Sequence, residues 1–173
     1  MNFDLIERKA SMLINEIGLS SIPIPVEEIA RRKNLIIRPF DFGEDISGAL
    51  IIEGDKGVIG FNPNDPKVRQ RFTIAHEIGH YVLHRPLSNL FFDQTSNFSI
   101  QFRSNSKSKD YLKERQANVF AAALLMPKNL LIAHTRNEKI DLSDERSLKV
   151  LARMFNVSST AMAIRISNLN LIL

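Results

Sequence analysis

The order of apolar and polar side chains along the chain predicts helices at both ends and short strands between them. Residues 4–17 carry Leu5, Ile6, Met12, Leu13, Ile14 and Ile17 on one amphipathic helix, and Gly18 stands where a left-handed cap closes such an element. A shorter helix is expected over residues 26–33, entered through Pro25, whose fixed backbone angle suits a first turn. Its apolar stripe is Val26, Ile29 and Ala30. Strands are expected at 35–40, 48–52 and 58–61, the last two joined by Glu53-Gly54-Asp55-Lys56-Gly57. They make a small, mostly antiparallel three-stranded sheet.

A long helix is predicted from Pro66 to His84, with Asn64-Asp65 as the capping side chains before the proline. Residues 93–109 hold Phe98, Ile100 and Phe102 among serine, asparagine, glutamine and lysine, the composition of a loop. A further helix runs over 111–126 and stops at Pro127, because proline disfavours helical geometry in the residue before it. Helices at 128–134 and 145–155 and a last one capped by Ser158 and reaching Ile166 complete the chain. The expected class is α+β, a small sheet packed with several helices and a C-terminal helical pair.

Composition narrows this picture without redirecting it. A chain of 173 residues with 44% hydrophobic and 24% charged side chains forms an ordinary core, and one domain over residues 1–173 is expected. Cysteine is absent, so any metal must be held by histidine and carboxylate. The first nine residues lack the apolar centre of a secretory signal, and no apolar run reaches the roughly 20 residues that span a bilayer, so a soluble, cytoplasmic protein with no membrane partner is expected. The net charge of +4 is spread out. Its clusters, Arg31-Arg32-Lys33 and the lysines of 107–113, have only Tyr111 near them as a stacking platform, so they read as solvated faces and nucleic acid is not the expected partner.

Chemistry concentrates in His76-Glu77-Ile78-Gly79-His80. Two histidines four apart on a helix project on one face and reach one zinc ion, and the intervening Glu77 lies where it can take a proton from the attacking water. This spacing on a helix is a recurrent pattern of zinc peptidases. Gly79 costs about 1 kcal/mol relative to alanine inside a helix, which points to a close approach there. A catalytic zinc takes a third protein ligand. His84 lies about 12 Å along the axis from His76 on an unbroken helix, too far to share one ion, and is expected at the helix C-terminus with a protonated imidazole favoured by the dipole. Glu114, early in the next long helix, is the better candidate, with Asp93 and Asp110 as alternatives. Asn118, one turn beyond Glu114, can hold the second nitrogen of a histidine ligand.

The blocks Phe72-Thr73-Ile74-Ala75-His76-Glu77-Ile78-Gly79-His80-Tyr81-Val82-Leu83-His84 and Glu114-Arg115-Gln116-Ala117-Asn118-Val119-Phe120-Ala121-Ala122-Ala123-Leu124-Leu125-Met126-Pro127 together resemble the ImmA/IrrE family of metallo-endopeptidases. The resemblance implies a zincin-like, thermolysin-like minimal core, one zinc on His76, His80 and Glu114, and Glu77 as general base. It also implies a selective regulatory protease whose protein substrates are often helix-turn-helix repressors. Some relatives carry a DNA-binding domain as well, and no segment long enough for one is expected before the peptidase here. The substrate is expected to lie extended against an exposed sheet edge at 48–52 or 58–61. Tyr111 or His134 is expected to help stabilise the oxyanion.

A rival reading comes from residues 144–169. The stretch Leu148 to Ile166 has the pattern of a helix-turn-helix, with Asn156-Val157-Ser158 as its turn and Arg165 as the one strong base reader of its second helix. On that reading the chain is a DNA-binding regulator, or a toxin-antitoxin-type partner without proteolysis.

Overall fold

The computed structural model describes residues 1–43, 46–54, 56–85, 90–94, 109–137 and 144–171. Helix α1 (Phe3–Ile17) begins where Asn2 Oδ1 accepts a hydrogen bond from the Leu5 N–H at 3.0 Å and ends at Gly18, whose φ of 72° places it in the left-handed region. Helix α2 (Val26–Arg32) follows Pro25 and leads through Asn34 into strand β1 (Leu35–Pro39). Strands β2 (Ile46–Glu53) and β3 (Lys56–Phe61) form a hairpin in which Glu53 pairs with Lys56. Helix α3 (Lys67–His84) comes next, then strand β4 (Leu90–Gln94) and helices α4 (Lys109–Leu125), α5 (Lys128–Asn137), α6 (Glu145–Phe155) and α7 (Ser159–Asn168).

The sheet has four strands in the order β1-β3-β2-β4. β1 pairs parallel to β3, and the other two pairings are antiparallel. Two expectations are corrected here. A fourth strand exists at Leu90–Gln94, where Leu90, Phe91 and Phe92 are too short an apolar run to separate a strand from a loop by pattern. As a result β2 and β3 are both interior, so residues 48–52 and 58–61 form no edge; the edges are β1 and β4. Leu35, Leu50, Ile52 and Ile59 point inward and are buried against the helices, while Ile36, Val58, Ile51 and Leu90 line up across the other face. Residues 95–108, most of the expected loop, lie outside the described residues.

Helix α3 starts without the expected Asn64-Asp65 cap. Its N-cap is Pro66, with no side-chain cap bond, and Gln70 instead reaches back from the first turn, donating to the Pro63 and Asp65 carbonyls at 2.9 and 2.8 Å. Arg69 donates to Ser47 Oγ at 2.7 Å, fastening α3 to β2, and Arg71 donates to the Ile24 and Asn156 carbonyls at 2.9 and 3.3 Å. Helix α4 packs against α3 on one side and α1 on the other, which is why Ala117, Phe120, Ala121, Ala123, Leu124 and Leu125 are all buried. No single described helix is long and apolar enough to cross a membrane.

The C-terminal pair forms as the pattern predicts. Asn156 closes α6 in the left-handed conformation at φ 52°, and Ser158 caps α7 by accepting from the Ala161 N–H at 3.1 Å. Its assigned use does not follow. Arg165 is 1% exposed, donates to the Met126 carbonyl at 3.0 Å and holds both carboxylate oxygens of Glu7, one of them at 2.9 Å. The side chain that would read a base is spent tying α7 to α1 and to the end of α4.

Two substitutions test this packing. A Cβ at Gly79 would stand 3.2 Å from the Ala117 carbonyl oxygen and 3.3 Å from Ala117 Cα, backbone that cannot yield unless α4 moves. Gly79→Ala is therefore expected to destabilise the fold by about 1–2 kcal/mol in urea unfolding, the overpacking outweighing the gain in helix propensity; a stabilised variant would refute the close approach. Arg165→Ala leaves the Glu7 carboxylate without its cation and is expected to cost about 3 kcal/mol, where a surface arginine would cost less than about 0.5.

Candidate metal centre

His76, Glu77 and His80 lie in the middle of α3 and are 1%, 0% and 0% exposed. Burial of three such groups is expensive unless they serve one another or a ligand. Two glycines bring the neighbouring backbone to this stretch of helix. At Gly48 a Cβ would fall 2.2 Å from Thr73 Cγ2 and 3.3 Å from Glu77 Oε1, so the glycine lets β2 lie directly on the helical face that carries Glu77. Gly79 does the same for α4, and that approach delivers Glu114.

Glu114 Oε2 stands 3.2 Å from His76 Nε2, Glu114 Oε1 stands 3.2 Å from His80 Nε2, and the two Nε2 atoms are 2.9 Å apart. Among the described residues these three side chains form the one group of histidine and carboxylate that can hold a metal ion. Asn118 Oδ1 lies 2.9 Å from His76 Nδ1. An amide oxygen only accepts, so Nδ1 carries the hydrogen and His76 presents a bare Nε2 to the cluster. Burial lowers the pKa of His80 to about 4, against a smaller opposing pull from Glu114. For Glu114 burial pushes upward, but the closeness of the His76 and His80 rings outweighs it and holds the carboxyl near 2. Neutral imidazole and ionised carboxylate are the forms that bind a divalent cation.

The residues fit such an ion. Electron-rich atoms gathered in a buried space repel one another unless a cation lies among them. Zinc bonds to nitrogen and oxygen at about 2.0–2.1 Å in tetrahedral geometry, which sets ligand atoms roughly 3.3 Å apart. Separations of 3.2, 3.2 and 2.9 Å agree with that to a few tenths of an ångström.

Other residues surround this group. His84 ends α3 as expected but is 2% exposed, and burial pushes its pKa down, so it is a neutral buried ring rather than a protonated helix terminus. Its Nδ1 lies 3.1 Å from His80 Nδ1 and its Nε2 lies 2.9 Å from Gln116 Oε1. Phe91 of β4 stacks on the His80 ring, with centroids 4.5 Å apart and planes 26° apart. Sequence reasoning missed Gln116 and Phe91. No local pattern announced either, since residues two apart on a helix, as Glu114 and Gln116 are, do not face each other. Tyr111 precedes Glu114 by three residues, one turn back on α4. His134 is turned elsewhere, edge-on to Phe155 of α6 with ring centroids 6.0 Å apart. The side chains of Asp93 and Asp110 lie outside the described part of the structure.

The chain is 26% identical over 117 residues to the uncharacterized immunity region protein 2 of Bacillus phage phi105, covering 68% of this chain and 67% of that protein. It is 33% identical over 96 residues to the metallopeptidase ImmA of Bacillus subtilis (strain 168), covering 56% of this chain and 48% of ImmA. The match thus spans about half the length of ImmA. A solved structure of a Mycobacterium tuberculosis transcriptional regulator shares the fold over 94% of this chain and 46% of its own, with a TM-score of 0.61 at 19% identity. Residues 30–167, most of the chain, match the family model described as the IrrE N-terminal-like domain, Peptidase_M78. The chain belongs to the IrrE N-terminal-like family of peptidases.

Proposed function

We propose that this chain is an endopeptidase that binds one zinc ion through His76, His80 and Glu114 and cleaves a specific protein regulator. The observation that carries the reading is the convergence of those three side chains from two helices, with buried Glu77 between the two histidines in sequence. Zinc, when bound, supplies the Lewis acidity that polarises a scissile carbonyl and makes water nucleophilic. Glu77 accepts the proton of the attacking water as its oxygen bonds to the carbonyl carbon. The same carboxyl then delivers that proton to the amide nitrogen as the carbon–nitrogen bond breaks. Asn118 holds the His76 ring in the tautomer this requires.

The sheet edge that serves the substrate is β4, because it is the edge strand beside His80. An extended segment paired along it gains backbone hydrogen bonds next to the reacting carbonyl. Of the two candidate oxyanion helpers, Tyr111 is the better placed, one turn from Glu114, whereas His134 packs on Phe155. Similarity to an immunity region protein and to ImmA supports a transcriptional repressor of the helix-turn-helix class as the substrate. The helical pair at 145–168 serves packing rather than DNA, since Arg165, the arginine of its second helix, is held by Glu7.

Incubating the zinc-loaded chain with helix-turn-helix regulators of its own organism, with fragments identified by mass spectrometry, tests this reading. Glu77→Gln is expected to abolish cleavage while retaining one zinc per chain, and Glu114→Ala is expected to lose stoichiometric zinc. Fragments that persist unchanged in Glu77→Gln would sink the assignment. Tyr111→Phe is expected to lower kcat by about 100-fold with KM little changed, the cost of one oxyanion donor; full activity would return the role to another group.

A further inference from the structure

A hydrogen-bonded line runs behind the cluster from α4 back to α3: Gln116 Oε1, His84, His80. We infer that His84 and Gln116 are positioning residues that fix the tautomer of His80, so that its Nε2 lone pair faces the metal position. The inference rests on the proposed zinc site but concerns groups that touch neither the ion nor a substrate.

Donors and acceptors fix the polarity of this line. Gln116 Oε1 accepts only, so His84 Nε2, 2.9 Å away, carries a hydrogen. The placement of the amide is supported by its other end, where Gln116 Nε2 is aimed at the Met1 carbonyl oxygen at 3.5 Å. His84 is 2% exposed and, among the described residues, hydrogen-bonds only uncharged partners, Gln116 and His80, with no carboxylate to hold a cation there, so with hydrogen on Nε2 its Nδ1 is bare. His80 Nδ1, 3.1 Å from that bare nitrogen, must then be the donor, and the remaining His80 nitrogen, Nε2, holds a lone pair. That lone pair points at Glu114 and His76. The opposite polarity of the line reverses every step: an amide N–H toward His84 would put hydrogen on His84 Nδ1, make His80 Nδ1 the acceptor and leave an N–H in the position a metal needs. Phe91, stacked on His80, holds the plane of the ring while the line sets its proton. Asn118 performs the matching task for His76, so each histidine has its own support on the same helix, α4, that carries Glu114.

Substitutions that preserve volume but alter polarity separate this role from simple packing. His84→Asn retains an acceptor near the former Nδ1, His84→Leu retains bulk without one, and Gln116→Lys offers only donors. Zinc dissociation constants are measured by competition with a chromophoric chelator, and the tautomer of His80 is read by nitrogen-15 NMR in the zinc-free protein. His84→Leu and Gln116→Lys are expected to weaken zinc binding 10- to 100-fold, with His84→Asn within about threefold of the parent. The parent is expected to show hydrogen on His80 Nδ1, and Gln116→Lys to shift it to Nε2. Equal losses in the asparagine and leucine variants, or hydrogen on Nε2 in the parent, would overturn the inference. Should Gln116→Lys fail to fold, the parent spectrum and the His84 pair decide. A parent chain that binds no zinc yet shows the expected tautomer would count against the proposed function and leave the hydrogen-bonded line intact.

Discussion

Helices α3 and α4 meet backbone to backbone where Gly79 faces Ala117, so closely that a Cβ there would press on the Ala117 backbone at 3.2–3.3 Å. Everything at the candidate centre depends on that contact. A carboxylate side chain is short, and Glu114 touches the two imidazoles at 3.2 Å because the approach at Gly79 and Ala117 brings its helix close to α3. Alanines at 117, 121, 122 and 123 continue the small-residue surface along α4. On the β2 side, Gly48 answers the same need and lets the sheet rest against Thr73 and Glu77.

Such closeness has an electrostatic consequence. His76, Glu77 and His80 are buried, so the charge states of His80 and Glu114 are set by their neighbours more than by bulk solvent. Burial keeps His80 neutral, and the histidine pair keeps Glu114 ionised. The polar groups behind them follow the same logic. Asn118, His84 and Gln116 satisfy nitrogens that would otherwise be buried without partners, and in doing so they orient the lone pairs toward one point. A network of this kind is rigid, which suits the proposed role of holding an ion.

The C-terminal helices show how a correct local pattern can carry a different role. Residues 145–168 form two capped helices and a tight turn, the geometry a helix-turn-helix requires. Yet Arg71 of α3 donates to the Asn156 carbonyl in that turn, and Arg165 is buried on Glu7. The pair is built into the core as a brace between the first helix, the motif helix and the end of α4. Helix patterning reports which face is apolar; it does not report what that face meets.

The sequence by itself determined the helices, the hairpin and the His76-Glu77-Ile78-Gly79-His80 motif at the centre. Periodicity of 3.6 and of 2, glycine and serine caps, and the four-residue spacing of His76 and His80 are local properties, and they can be read one segment at a time. Even the interest of Gly79 was legible, because a glycine inside a strong helix asks for a reason. The tertiary structure alone decided the reason, which is the backbone of α4. It also decided that β4 joins the sheet and takes the edge from β2 and β3, that Phe91 covers His80, that His84 is a buried neutral ring joined to Gln116, and that Arg165 faces Glu7. Each of these is a contact between residues far apart in the chain or on different elements. No local propensity encodes such a contact; it follows from how the apolar faces of the helices and the sheet bury one another, and that is settled only when the whole chain packs.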